Sequence, residues 1–136
     1  MLVVFRKNDQ ATTAQVAQKA LNAAHNAQKN LQALSVQRAA KGLVPLRAGI
    51  AVHLGQVIYG NVGAASRLDF TVMGHAVNVV ARIQQLSGEL SVPVLFSHQV
   101  AKQLTSACSS LGRYQLKGVR AEVEVFQLAS KDDDVP

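Results

Sequence analysis

The chain has no tryptophan, one cysteine and three prolines in 136 residues, and only 4% of it is aromatic. Each shortage removes a class of protein. With Cys108 alone, neither an internal disulfide nor a cysteine-based zinc site can form, and a reducing, cytoplasmic compartment is expected. Two Tyr and four Phe are too few to pave a sheet with stacking rings, which argues against a nucleic-acid partner. No stretch approaches the roughly eighteen apolar residues of a membrane-spanning helix. The opening Met1-Leu2-Val3-Val4-Phe5-Arg6-Lys7 has its apolar run ahead of its charges and is too short for a signal peptide. Acids are scarce as well. Eight Asp+Glu against fourteen Lys+Arg leave a net charge of +6. Asp132, Asp133 and Asp134 belong to the tail, so the body is more basic still and suits a polyanionic ligand. Hydrophobic content of 49% is enough for one globular core.

The most informative stretch runs from Leu68 to Leu86. Asp69 to Met73 is β-prone and predicts a strand. From His75 onward, Ala76, Val79, Val80, Ile83 and Leu86 fall at helical spacing, and Gly74 separates the two periods. Asn78 and Arg82 are four residues apart and share a helix face that Gln85 continues. A strand, a glycine turn and a helix entered by a polar row make a phosphate site plausible on chemical grounds. Backbone N–H groups at a helix start favour anions, and Arg82 adds a planar, bidentate donor. The plainer alternative is a βα unit whose polar row faces water.

Along the rest of the chain, Leu2 to Phe5 predicts a short buried strand, followed by a polar turn. Thr12 or Thr13 is placed to cap a long helix over Ala14 to Lys41, ended by Gly42. Its apolar stripe is read as Val16, Ala20, Ala23 or Ala24, Ala27, Leu31 and Leu34. Leu46 to Leu54 and Val57 to Val62 predict a hairpin turning at Gly55-Gln56. Gly60-Asn61-Val62-Gly63 and Ala64 to Arg67 then form a flexible connection. Ser87-Gly88-Glu89 is read as a helix break, Pro93 to Phe96 as a strand, and His98 to Ala107 as a helix capped by Ser97. Gly112 to Lys117 and Glu122 to Leu128 read as a terminal hairpin around Gly118. Lys131 to Pro136 is a solvated acidic tail. The order β-α-β-β-β-α-β-α-β-β implies an α+β, ferredoxin-like sandwich.

Three motifs carry a family resemblance. Arg47 to Val57, followed by Gly60-Asn61-Val62-Gly63, is similar to the paired strands of class III nucleotide cyclase catalytic domains. Asp69-Phe70-Thr71-Val72-Met73-Gly74-His75-Ala76-Val77-Asn78-Val79-Val80-Ala81-Arg82 resembles that family's signature strand and helix. Leu116-Lys117-Gly118-Val119 with Val123 to Leu128 resembles its closing hairpin. The resemblance makes residues 1–130 a cyclase homology domain and 131–136 a tail. It implies a homodimer that converts ATP to cyclic AMP and pyrophosphate, the ribose 3′-hydroxyl attacking the α-phosphate with two Mg²⁺ or Mn²⁺ ions assisting. Carried onto this sequence, Arg82 stabilises charge developing on the α-phosphoryl group and Asn78 holds the ribose. Thr71 stands at a base-reading position, weakly favouring adenine over guanine, and Lys117 reaches the terminal phosphates.

The resemblance also implies what is missing. The family's metal-binding aspartates lie ahead of the strand that matches Leu2 to Phe5, and so does the lysine that reads adenine. The domain is therefore expected to lack its first strand and first helices, and to hold the substrate-orienting half of a composite site without metal ligands. Asp9 lies past the strand and is no substitute. Alone, such a chain is expected to be inactive and to self-associate over its unpaired edges. The competing reading is a catalytically silent, cyclase-like regulatory module. Elsewhere, His53 is expected to pack structurally, His75 to stay neutral at the helix start, and His25 and His98 to lie on helix surfaces. No pair of these has metal-ligand spacing. Ser66 and Ser87 lack the context of a nucleophile.

Overall fold

The computed structural model describes residues 1–62 and 69–129, and for 61, 62 and 69–71 the backbone alone. The elements are α1 (Thr13–Ala40), β1 (Ile50–Val52), β2 (Ile58–Val62), β3 (Asp69–Met73), α2 (His75–Leu90), β4 (Val94–Ser97), α3 (His98–Ala101), β5 (Cys108–Tyr114) and β6 (Val123–Leu128). This is the expected α+β arrangement. Both the connection over 63–68 and the tail over 131–136 fall outside the described residues.

α1 begins and ends as its sequence dictates. Thr12 Oγ1 accepts from Gln15 N at 3.1 Å while Gln15 Oε1 accepts from Thr12 N at 2.9 Å, a complete capping box. At the other end Gly42 takes φ +73°, Leu43 N donates to Arg38 O and Gly42 N to Ala39 O, which closes the helix as a Schellman motif. The buried face is Ala17, Leu21 and Ala24, whereas Ala23, Ala27 and Leu34 of the predicted stripe are exposed. Alanines fall on every face of this helix, so period alone does not choose which face is buried. Packing of Leu21 against the sheet does.

The main sheet has the order β1-β4-β6-β5. β1 runs parallel to β4, with Ala51 opposite Leu95, and β4–β6 and β6–β5 are antiparallel. All four residues of β4 are buried, as a strand covered on both faces requires. Alternation then divides the core. Val94 and Phe96 join α1's Ala17, Leu21 and Ala24, while Leu95 joins α2's Val79, Ile83 and Leu86. α1 and α2 thus cover opposite faces.

Several expectations are corrected. Leu2 to Phe5 forms no strand; Met1, Leu2 and Val3 are exposed, because no described strand offers this segment a ladder. The strand predicted over Leu46 to Leu54 shrinks to Ile50–Val52. Side chains of α1 take the backbone ahead of it: Ser35 Oγ bonds Leu46 O and N, Arg38 Nε donates to Val44 O, and Gln28 Nε2 donates to Ala48 O. The hairpin at Gly55 is absent as well. β2 pairs instead with β3 in a separate two-stranded sheet, Ile58 opposite Met73. β1 needs a parallel partner, and α2 supplies the crossover to β4 that parallel pairing demands. Ser87-Gly88-Glu89 does not break α2, because the Ser87 hydroxyl, buried, donates to Val92 O beyond the helix end at Ser91. The helix after Ser97 is four residues long, and the strand before Gly118 lies upstream of its predicted place, since Leu116 and Val119 are drawn into the core.

Candidate functional site

α2 carries most of the site. With Val79, Ile83 and Leu86 buried, a helix of about 3.6 residues per turn turns Asn78, Arg82 and Gln85 away from the sheet. Asn78 and Gln85 are exposed and Arg82 is half-buried. Arg82 Nη1 donates to Gln85 Oε1 at 3.2 Å, one turn along, which restrains a guanidinium that carries several further N–H donors. At the helix start Gly74 occupies the N-cap with φ +137°, a conformation suited to glycine. No side chain caps this end and no acid lies in the first turn, so the helix dipole there favours a negative group.

Thr71 lies on β3 with its backbone opposite Gly60, three residues ahead of Gly74; its side chain is outside the description. Lys117 is exposed on the turn between β5 and β6. That turn is anchored on both sides, since Leu116 and Val119 belong to the same buried cluster as Val79 and Ile83. The fold therefore brings Lys117's turn against the helix of Asn78 and Arg82.

A cleft of about 380 Å³ opens beside the start of α2, lined by His53, His75, His98, Arg113, Glu122 and others. His53 Nδ1 is 2.8 Å from Ser97 Oγ, so it packs structurally as expected. Burial holds the His53 imidazole below the ordinary histidine value, and the neighbouring His75 adds to the effect. His98 lies against Phe126 with ring centroids 5.9 Å apart. His25 is half-buried, not on the surface, and its Nε2 is buried with no hydrogen-bond partner among the described residues. Arg113 Nε approaches Glu124 Oε2 at 3.9 Å. None of these cleft pairings was visible in the sequence, because they join distant positions: His53 and Ser97 are 44 residues apart.

No group of three or more His, Cys, Asp or Glu that could hold a metal ion exists among the described residues. The donor set of the described residues therefore does not fit a two-cation site.

Residues 2–130 match the family profile described as the adenylate and guanylate cyclase catalytic domain. The chain belongs to that family. Among curated relatives, this cyclase domain is 29% identical over 114 residues to adenylate cyclase 1 of Rhizobium meliloti, covering 82% of this chain and 17% of that protein. It is 31% identical over 121 residues to the photoactivated adenylate cyclase subunit beta of Euglena longa, covering 85% of this chain and 14% of that one. The domain thus spans only a small fraction of these relatives' length. The fold agrees with solved cyclases. The adenylyl cyclase CyaB from P. aeruginosa superposes with a TM-score of 0.71 at 23% identity, over 95% of this chain and 67% of that one. The guanylyl cyclase Cya2 gives 0.70 at 25% identity, over 90% and 62%.

Proposed function

We propose that this domain is the substrate-orienting half of a nucleotide cyclase that converts ATP to cyclic AMP and pyrophosphate in a cytoplasmic dimer. The observation that carries the reading is the outward row on α2, with Arg82 restrained by Gln85 at 3.2 Å beside exposed Asn78. In this reading the Asn78 amide bonds the ribose and fixes it for in-line attack on the α-phosphate. The Arg82 guanidinium meets negative charge as it develops on the α-phosphoryl oxygens, where a positioned cation lowers the barrier most. Lys117, on its anchored turn, takes the terminal phosphates, and Thr71 contacts the base. The net charge of +6 favours capture of a triphosphate.

The chemistry needs Mg²⁺ or Mn²⁺, and the described residues offer no seat for either. Metal ligands must then come from protein outside this set, and the chain alone is inactive. That same lack of a donor cluster favours a second reading, a silent module that binds nucleotide and dimerises without chemistry.

Complementation separates the two. The chain is mixed with a cyclase domain that carries metal ligands but has lost its own asparagine and arginine. We expect cyclic AMP with Mn²⁺, falling by on the order of 100-fold or more with Arg82→Ala. Nucleotide binding without product supports the silent module.

A further inference from the structure

The candidate site depends on where α2 stands along its own axis. Two glycines flank β1 and touch α2 near its two ends. A Cβ built on Gly55 sits 2.6 Å from Ala76 Cβ in the first turn of the helix. A Cβ built on Gly49 falls onto the side chain of Ser87 in the last turns, and Gln84 Nε2 donates to Gly49 O at 3.3 Å. Neither glycine has a positive φ, so the backbone at both positions is open to any residue. Space, not torsion, is what excludes a side chain there.

The spacing of the two contacts is consistent with this. Ala76 and Ser87 are separated by about 16 Å of helix at ~1.5 Å per residue. Gly49 and Gly55 are separated by at most about 20 Å of extended chain at ~3.3 Å per residue. The helix lies antiparallel to β1, its first turn over Gly55 and its last turns over Gly49. Held at one end, a helix can still pivot; held at both, it can neither slide nor rotate. Asn78 and Arg82 lie between the two holds.

We infer that Gly55 and Gly49 are positioning residues, bare backbone surfaces that let α2 settle at the depth and rotation that aim Asn78 and Arg82 at the nucleotide. The inference rests on the proposed function for its ligand but on packing for its mechanism. At Gly55 the consequence is specific. A methyl group there must push the turn of Ala76 outward by about 1 Å to restore ordinary carbon–carbon contact. Asn78 is two residues further on and moves with it. A loss of that size at the reacting groups is a large one, because misplacement by about 1 Å can cost up to ~100-fold in rate. Removing the methyl of Ala76 restores the room.

The test is a double-mutant cycle in the full chain with Gly55→Ala, Ala76→Gly and both together. ATP titration is followed by ¹⁵N NMR of the Asn78 amide and Arg82 Nε signals, alongside urea unfolding. Gly55→Ala is expected to shift both signals and weaken ATP binding by about tenfold or more. The double variant is expected to return signals and affinity to those of Ala76→Gly alone. If Gly55→Ala does not fold, the double variant must fold and bind. The inference is overturned if Gly55→Ala binds as wild type with unmoved signals, or if the double variant is no better than Gly55→Ala. If wild-type chain shows no ATP binding, the proposed function fails, while the signal shifts still decide the positioning.

Discussion

At the residue scale, the site is a matter of which groups are charged and which are held. Arg82 is held by its hydrogen bond to Gln85 Oε1 at 3.2 Å. His53 behaves differently. Burial and His75 lower its pKa, so the folded domain keeps the imidazole neutral where the unfolded chain begins to protonate it. Between the lowered folded value and the ordinary one near 6.5, the unfolded state binds more protons, and stability falls as pH drops. His25, lowered by burial and then by Lys29, acts with the same sign. Urea midpoints measured downward from neutral pH should decline below about 6.5, and His53→Gln should flatten part of that decline. A His53→Gln profile as steep as the wild type would show that this imidazole is not the buried neutral group assigned here.

At the scale of elements, legibility followed how local the decisive interaction is. The capping box of α1 lies within four residues, and the sequence narrows the cap to Thr12 or Thr13, of which the structure uses Thr12. Thr12→Ala should therefore cost about 1 kcal/mol in urea unfolding, with the Asn78–Arg82 row on α2 untouched. A variant as stable as wild type would mean the cap seen here is not formed in solution. The β3–Gly74–α2 unit was equally readable, since its change of period lies within nineteen residues. The misjudged elements are those decided at long range. Leu46 to Leu54 has strand character, but Ser35 and Arg38 on α1 claim the backbone at Leu46 and Val44. β1 and β2 look like hairpin strands until β1's parallel partner, β4, is known. Asn78 and Arg82 could be placed on one face from spacing alone. Gly49 and Gly55 could not be singled out, because their partners on α2 lie 38 and 21 positions away, at Ser87 and Ala76.

At the scale of the whole molecule, the proposed function makes the domain one half of a shared site. One face of the sheet is covered by α1, and the other by α2, which carries Asn78 and Arg82. Basic charge is in excess, and no described cluster is suited to a cation. In the proposed function such a chain grips the nucleotide while the metal ligands come from protein outside the described residues. The most direct test is titration of ATP into the isolated chain, wild type against Asn78→Ala/Arg82→Ala, with the fold checked by circular dichroism. Saturable binding by the wild type, weakened by about 100-fold in the folded double variant, is the predicted result, at ~1.5–3 kcal/mol for a charge-assisted bond and somewhat less for the amide. Equal binding by the two folded proteins would contradict the assignment of α2 as the nucleotide-binding helix.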